Sequence, residues 1–423
     1  MSPTMQVDTL AEKIKTPTKA TFLTSIFKNG LKKKLSHLNV GCIIVVDGED
    51  KFSFGDTDSE LQVNVQVHSQ EFYVMTGSGG AMGIAEAYIL GYWTSDDVVM
   101  LMRIILKNRS ILMSLDNGFA KVLSPINKLI HKNRQNTLKG SKENILAHYD
   151  LSNDFYKLWL DPTMTYSCAY FRDTNTTLED ASIEKLDRMC RKLKLSKVDN
   201  ILEVGTGWGS FSIHAAKNYG CSITTTTISD AQYEYAKARV VEEGLESKIN
   251  VINKDYRKLD GQYDKIVSIE MIEAVGYEYI SEYFSKLSSL LKPDGLMALQ
   301  GITYNDQNFD TYKDSVDFIK KYIFPGSCLI SISQIIDVIK NKTDLSMIDM
   351  EDITRHYAET LNRWRKNFMS VLPEVKEMGY SKAFINMWEF YFLYCEAGFL
   401  ERNIGDVQLV FAKSGAKDVR VEY

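Results

Sequence analysis

Along Leu61-Gln-Val-Asn-Val-Gln-Val67 apolar and polar positions alternate strictly, which is the period of a half-buried strand. Just before it, Cys42-Ile-Ile-Val-Val46 and Lys51-Phe-Ser-Phe54 flank the turn signal Asp47-Gly48-Glu49-Asp50 and predict a hairpin. Leu23–Leu38 predicts a helix that runs through Lys32-Lys33-Lys34. Gly77-Ser-Gly-Gly-Ala-Met-Gly83 reads as a glycine-rich turn ahead of Ile84–Leu90 and Gly91-Tyr-Trp93. Asp96 and Asp97 then open a helix over Val98–Lys107, with acids at its positive end. Residues 21–116 therefore predict a small α+β domain, preceded by a disordered lead over 1–20.

Further along, the pattern changes to strands alternating with helices. After a helix at Ser182–Leu193, strands are predicted at Asn200–Val204, Ser222–Thr227, Ile249–Lys254, Tyr263–Ile269, Gly295–Ile302 and Asp406–Ala412, with helices such as Asp230–Glu243 between them. Ser229 is the expected N-cap of Asp230–Glu243. Such alternation implies an α/β domain over 144–414 with a mostly parallel, doubly wound sheet, whose ligands bind at the carboxyl ends of the strands. A long, mainly helical insertion of about 304–403 separates the fifth and last strands, and 415–423 form a tail. Its aromatic residues Phe318, Tyr322, Phe324, Tyr357, Trp364, Phe368, Trp388, Phe390, Tyr391, Phe392 and Tyr394 suggest a substrate lid.

Composition narrows the picture. A chain of 423 residues exceeds what one core serves, and 44% apolar with 25% charged residues is ordinary for a globular protein. No apolar run approaches the roughly 20 residues of a membrane span; the closest, Val98–Leu115, is broken by Arg103, Lys107, Asn108 and Arg109. The N-terminus lacks an apolar core of the secretory type. Six cysteines without paired or metal-like spacing fit a reduced, cytoplasmic compartment, and a net charge of −5 argues against a nucleic-acid partner. Residues 117–143 carry Lys121, Lys128, His131, Lys132, Arg134, Lys139 and Lys142 around Ile126, Leu129 and Ile130. This basic linker is either a solvated tether or a segment that contacts anionic headgroups.

The strongest chemical signal is Ile201-Leu-Glu-Val-Gly-Thr-Gly-Trp-Gly-Ser-Phe211, a strand, a glycine-dense turn and a helix start. Gly205, Gly207 and Gly209 let backbone approach a ligand, and the helix aims free N–H groups at it. Glu203 is an acceptor at the strand's end. A dinucleotide loop wants glycine at position 210, where Ser210 stands. The combination suits S-adenosylmethionine better than a pyrophosphate, although a tight strand–helix turn in any α/β protein reads the same way.

Around this turn lie His148-Tyr-Asp-Leu-Ser-Asn153, Tyr166-Ser-Cys-Ala-Tyr-Phe171, Thr227-Ile-Ser-Asp-Ala-Gln232, Asp255-Tyr-Arg257, Glu270-Met-Ile-Glu-Ala-Val-Gly276, Lys321-Tyr-Ile-Phe-Pro325, Glu396-Ala-Gly398 and Ile404-Gly-Asp-Val-Gln408. In this order and over roughly residues 144–413, the chain resembles the cyclopropane-fatty-acyl-phospholipid synthases and the related mycolic acid cyclopropane synthases. The resemblance implies a Rossmann-like class I methyltransferase domain. It implies methyl transfer from S-adenosylmethionine to a cis double bond in a phospholipid acyl chain, followed by proton loss and ring closure. It implies cytoplasmic location with peripheral attachment to a bilayer; a homodimer is compatible with it. The expected cofactor-binding residues are Tyr166, Ser167, Glu203, Gly205, Thr206, Gly207, Gly209, Thr227, Ile228, Gln232, Asp255, Tyr256 and Arg257, with Gln232 standing in for the acid usual at the end of the second strand.

For catalysis the resemblance implies a bound bicarbonate as proton acceptor, with ligands that carry over to Cys168, Glu273, position 300, the amide of Ile302 and Tyr357. Cys168 is expected to supply backbone and shape, since an alkene offers a thiolate nothing to attack. Two positions depart from the pattern: Gln300 replaces a histidine, and Ala274 stands where a histidine often follows the glutamate. Gln300 can hold an anion through its NH₂ but cannot titrate. A cation that is not deprotonated promptly would end as a methyl or methylene branch, so branched-chain formation is the alternative within enzymes. Methylation of a small molecule by a relative of the same fold, and a lipid-binding protein with a degenerate site, are the others.

Overall fold

The computed structural model describes residues 7–10, 22–111, 151–417 and 419. The basic linker 117–143, most of the lead 1–20 and the segment His148–Asp150 lie outside the described residues. Two compact units divide the chain: Met1–Asn133, Ser315–Pro325 and Trp364–Asn403 make the first, and Arg134–Asp314, Gly326–Arg363 and Ile404–Tyr423 the second.

In the first unit, β1 (Cys42–Asp47), β2 (Asp50–Gly55), β3 (Gln62–Val67) and β4 (Trp93–Ser95) form a sheet of order β2-β1-β3-β4. The hairpin pairs β1 with β2 antiparallel, while β1 and β3 run parallel. On β3 the alternation does what it predicts, burying Val63, Val65 and Val67 and leaving Gln62 and Asn64 exposed. The helix Val98–Lys107 begins at Asp97, whose side chain accepts from the Met100 amide at 2.8 Å.

The glycine-rich stretch corrects the sequence reading. It is not a turn between elements but the middle of a helix, Glu71–Ile89, kinked at Gly80 (φ 60°, ψ −137°). The close approach explains the composition: a Cβ on Gly83 would lie 1.9 Å from the Met75 carbonyl oxygen, and one on Gly77 would lie 2.0 Å from the Phe27 ring.

Parts of the expected lid also belong to this unit. Phe390 packs on Tyr88 with ring centroids 5.2 Å apart and on Phe318 at 5.0 Å. Glu401 takes Arg103 at 2.7 Å and Lys107 at 2.6 Å, and Glu86 takes Lys321 at 2.6 Å. Every aromatic residue named for the insertion, except Tyr357, lies in Ser315–Pro325 or Trp364–Asn403. Their rings serve chiefly as core, because ring-on-ring packing holds more apolar surface out of water than an open wall would.

The second unit holds β5 (Asn200–Val204), β6 (Ser222–Thr227), β7 (Ile249–Asn253), β8 (Tyr263–Ile269), β9 (Leu291–Tyr304), β10 (Leu345–Asp352) and β11 (Ile404–Lys413). Among the described residues they form a seven-stranded sheet of order β10-β11-β9-β8-β5-β6-β7. Strands β5 to β9 are parallel; β11 and β10 are added antiparallel at one edge. Both faces are covered. Leu202, Ile266, Met297 and Leu299 pack into one core with Phe284 and Ile335, whereas Ile201, Val267 and Ala298 pack into another with Leu186 and Phe211.

β10 is a strand that the sequence reading did not place within the insertion, whose other long elements are helices. Its inward-facing acids Asp349 and Glu351 are answered by Lys192 at 2.8 and 3.0 Å and by Arg188, all from the helix Leu178–Lys192, so a charged strand can sit at this edge.

Replacing Gly83 by alanine should destabilise the first unit by about 1–3 kcal/mol, the usual cost of overpacking. Gly79→Ala, where a Cβ meets open space, should be neutral or stabilising. Thermal melts of the two variants against the parent check both outcomes.

Candidate active site

The sheet order places the site. From β5 the chain steps to β6 and β7 on one side and to β8 and β9 on the other, which makes the carboxyl end of β5 the topological switch point. Most of the expected cofactor residues lie at or after the ends of β5, β6 and β7, while Tyr166 and Ser167 precede the sheet. Of the expected catalytic residues Glu273 follows β8 and Gln300 and Ile302 lie on β9, whereas Cys168 precedes the sheet and Tyr357 lies on the helix Thr354–Ser370.

After β5, Gly205, Gly207 and Gly209 have φ of 102°, 52° and 88°, a region that favours glycine. Gly209 caps the helix Ser210–Tyr219 in the left-handed conformation. The amides of Gly205 and Thr206 both donate to the Thr226 carbonyl, at 3.1 and 3.0 Å, which ties the turn to β6. Glu203 is buried and accepts from Ser212 and, at 2.6 Å, from Thr225; both hydroxyls use Oε2. Burial pushes its carboxyl up to about 7, against the pull of those two donors.

After β6, the Thr227 hydroxyl donates to Gln232 Oε1 at 3.0 Å and accepts from the Ser229 amide at 3.1 Å, and Ser229 caps the following helix as expected. Ile228 is half-buried beside them. After β7, Asp255 is bound by Arg257 through 2.6 and 2.9 Å contacts, so this carboxylate serves its neighbour; Tyr256 packs edge-on against Tyr283. Tyr166 stands among Tyr156 and Trp159, at 5.5 and 5.6 Å.

One stretch, Thr163–Cys168, touches both halves of the site. The Thr163 carbonyl accepts from Ser210 at 2.6 Å and from Arg239 at 3.1 Å, on the side of the glycine turn. Ser167 accepts from the buried Lys185 at 2.6 Å, and the Cys168 amide donates to Glu270 at 2.8 Å.

The expected catalytic residues do come together, but around a residue that had been quoted only as part of a motif. Glu270 Oε1 accepts from the Cys168 amide at 2.8 Å and from Gln300 Nε2 at 2.8 Å; Oε2 accepts from the Tyr357 hydroxyl at 2.5 Å. Gln300 uses its other donor on Asp406 at 3.2 Å and accepts from Gln408 at 3.1 Å. Its NH₂ therefore holds two of the protein's own carboxyl groups, not a free anion as the sequence suggested. The Ile302 amide donates to Glu273 Oε1.

Three carboxyls, those of the half-buried Glu270 and the buried Glu273 and Asp406, thus share a space with the ammonium of Lys185. Burial raises all three above the usual carboxylate range, with Glu273 pushed up to about 8 by burial and then by the charge of Glu270. Burial lowers Lys185, and it raises the thiol of Cys168 well above its ordinary value, so this cysteine stays protonated. Donors decide where the negative charge resides: Glu270 has three, while Glu273 Oε2 and Asp406 Oδ1 have none. Glu270 is the carboxylate, and its neighbours carry protons. Sequence reasoning did not assign Glu270, Asp406 or Lys185 a role. The available signal was a pair of glutamates three residues apart at the end of a strand.

Residues 136–409 match the family described as mycolic acid cyclopropane synthetase. The chain is 35% identical over 346 residues to the tuberculostearic acid methyltransferase of Mycobacterium tuberculosis, covering 80% of each. It is 32% identical over 362 residues to the cyclopropane-fatty-acyl-phospholipid synthase of Escherichia coli K12, covering 85% of this chain and 90% of that one. A solved structure of a mycolic acid cyclopropane synthase complexed with SAH and CTAB aligns with TM-score 0.60 and 30% identity, over 64% of this chain and 98% of that one.

Between the ordinary carboxyl value of 4.5 and about 8, the folded protein holds a proton on Glu273 that the unfolded chain releases. Its contribution to stability is therefore present at low pH and lost as pH rises through that window. Glu273→Gln should flatten the fall of the melting temperature between about pH 5 and 8; a variant whose melting curve tracks the parent's across that range contradicts the assignment.

Proposed function

Because the chain belongs to the mycolic acid cyclopropane synthetase family, we propose that it methylates the double bond of an unsaturated phospholipid acyl chain at a bilayer surface and closes the product to a cyclopropane. It is an S-adenosylmethionine-dependent methyltransferase with the class I fold. The observation that carries the finer reading is the carboxyl cluster of Glu270, Glu273 and Asp406, in which one carboxylate, Glu270 at the end of β8, is held by three donors.

The residues present fit the methyl donor. Gly205–Gly209 give backbone access, Glu203 keeps Oε1 clear of the two hydroxyls that hold Oε2, and the Gln232 amide is oriented by Thr227. When bound, S-adenosylmethionine supplies an electrophilic methyl group. The protein's part is to hold the alkene in line with it, since effective alignment is worth several kcal/mol, and to stabilise the cation that forms on the acyl chain. Negative charge in a dry setting does the second job.

The fit is poorer for bicarbonate. Three of its expected donors, the Cys168 amide, Gln300 and the Tyr357 hydroxyl, hold Glu270, and the fourth, the Ile302 amide, holds Glu273. A bicarbonate on this set would have to displace a carboxylate of the protein, so no step is routed through one.

A second reading, formation of methyl- or methylene-branched chains, is favoured by Gln300, which cannot shuttle a proton, and by the likeness to a tuberculostearic acid methyltransferase. A non-catalytic lipid-binding role is disfavoured, because it gives no reason to gather three carboxyls, two of them buried, at one point.

No described helix is long and apolar enough to cross a membrane. Attachment is proposed through the helix Phe22–Leu35, where Phe22, Leu23 and Ile26 are exposed and Lys32, Lys33 and Lys34 follow, together with the basic stretch 117–143.

The deciding experiment incubates the pure protein with vesicles of unsaturated phospholipid and labelled S-adenosylmethionine, then separates the acyl esters. Label in ring-bearing esters is expected; label in branched esters promotes the second reading, and unlabelled lipid sinks both. Replacing Phe22, Leu23 and Ile26 together by serine should weaken vesicle binding about tenfold or more, as expected for losing three inserted apolar side chains. Co-sedimentation measures this, while affinity for S-adenosylhomocysteine should be unchanged.

A further inference from the structure

We propose that the side chain of Glu270 is the proton acceptor of this enzyme, built into the chain where a bound bicarbonate would otherwise be held. The proposal rests on the reaction described above. Its basis is convergence: an amide from the segment before one helix (Cys168), an amide side chain on β9 (Gln300) and a hydroxyl from another helix (Tyr357) meet on one carboxylate. These are the donors that the resemblance assigns to an external anion. The protein supplies the anion itself.

The backbone is a second, independent observation. Glu270 has φ 47°, a left-handed conformation that a residue with a Cβ rarely adopts. Such strain persists where surrounding contacts over-determine it, and it gathers at functional sites. Here it turns the side chain off the end of β8 while the Glu270 amide stays bonded to the Gln300 carbonyl at 2.9 Å. A glycine would take this backbone without strain, so the glutamate is retained against a conformational preference.

The chemistry balances. After the methyl group has joined one alkene carbon, the other carries the positive charge. The Glu270 carboxylate takes a proton from the added methyl carbon, and the C–H electron pair closes the second C–C bond of the ring. Glu270 is left as the neutral acid and returns to carboxylate by releasing that proton to solvent. The groups that share its space are Glu273 and Asp406, which lack donors on one oxygen each, Lys185 on the helix Leu178–Lys192, and the Cys168 thiol. None of these carries the donor set that holds Glu270 as a base.

The test compares wild type and Glu270→Gly in buffer stripped of carbon dioxide and in buffer with added bicarbonate. Wild type should turn over equally in both and show no saturable binding of isotope-labelled bicarbonate. Glu270→Gly, which removes the carboxylate and relaxes the backbone, should keep its affinity for S-adenosylhomocysteine and lose about a hundredfold or more in turnover, the usual contribution of a general base. It should also gain bicarbonate binding and recover part of its rate with it. Wild-type turnover that stops without bicarbonate and resumes with it overturns the proposal, as does a glycine variant that keeps the wild-type rate in stripped buffer. If Glu270→Gly fails to bind S-adenosylhomocysteine, Glu270→Gln carries the same criterion in stripped buffer: a loss of about a hundredfold supports the proposal and an undiminished rate overturns it. Wild type that labels no lipid in either buffer removes the reaction itself, a failure distinguishable from loss of the base alone.

Discussion

Taking a carboxylate out of water costs several kcal/mol unless donors replace its lost hydration. In the second unit that constraint falls on Glu270, and segments far apart in sequence meet it. Cys168 lies 102 residues before it, Gln300 30 after and Tyr357 87 after. Each brings its own element to the same point: the stretch after Thr163, strand β9 and the helix Thr354–Ser370. The stretch Thr163–Cys168 is pinned in turn to the glycine turn through Ser210 and Arg239. Fixing the charge of Glu270 therefore also fixes the loop that borders the cofactor side. Donor site and base are coupled by covalent continuity over six residues.

The same charge organises its neighbours electrostatically. Burial first, and then the charge of Glu270, makes ionisation of Glu273 and Asp406 costly, so both hold protons beside it. A neutral Glu273 can donate as well as accept, which a second carboxylate could not. The cluster then presents one localised negative charge cushioned by neutral acids and by the ammonium of Lys185, rather than three that repel one another. For a cationic intermediate on an acyl chain, one fixed charge at a defined place is more useful than a diffuse one.

How much of this was legible in the sequence depended on whether a residue's partners were near it in the chain. Strands β5 to β9 were legible because short β-branched and apolar segments alternate with helical stretches along the chain. The Ser229 cap was legible because its partner, the Gln232 amide, is three residues on. β10 was not, since Asp349 and Glu351 are acceptable in a strand only because Lys192 and Arg188 arrive from a helix more than 150 positions earlier. The run from Gly77 to Gly83 looked like a turn because glycine density usually means one; the close contacts at Phe27 and Met75 that demand glycine inside a helix are tertiary. Tyr357 meets Glu270, whereas the aromatic residues around it in the sequence belong to the other unit. Glu270 was in plain view within a motif, and only the side chains that meet it reveal its role.

Position 300 illustrates the difference. Taken alone, glutamine in place of histidine is a loss, because it removes a group that titrates. Beside Glu270 the substitution has a positive logic. Gln300 donates to Glu270 and to Asp406 with one nitrogen while its oxygen accepts from Gln408, three bonds from a neutral amide. A neutral imidazole offers one donor and one acceptor; an imidazolium offers two donors, no acceptor and a positive charge beside the base. Either form would leave Gln408 or one carboxyl without its bond, and the charged form would weaken Glu270 as a proton acceptor. An amide meets all three demands at every pH. The carboxylate at 270 and the amide at 300 therefore suit one another: the amide donates to the carboxylate without placing a titrating or positive group beside it.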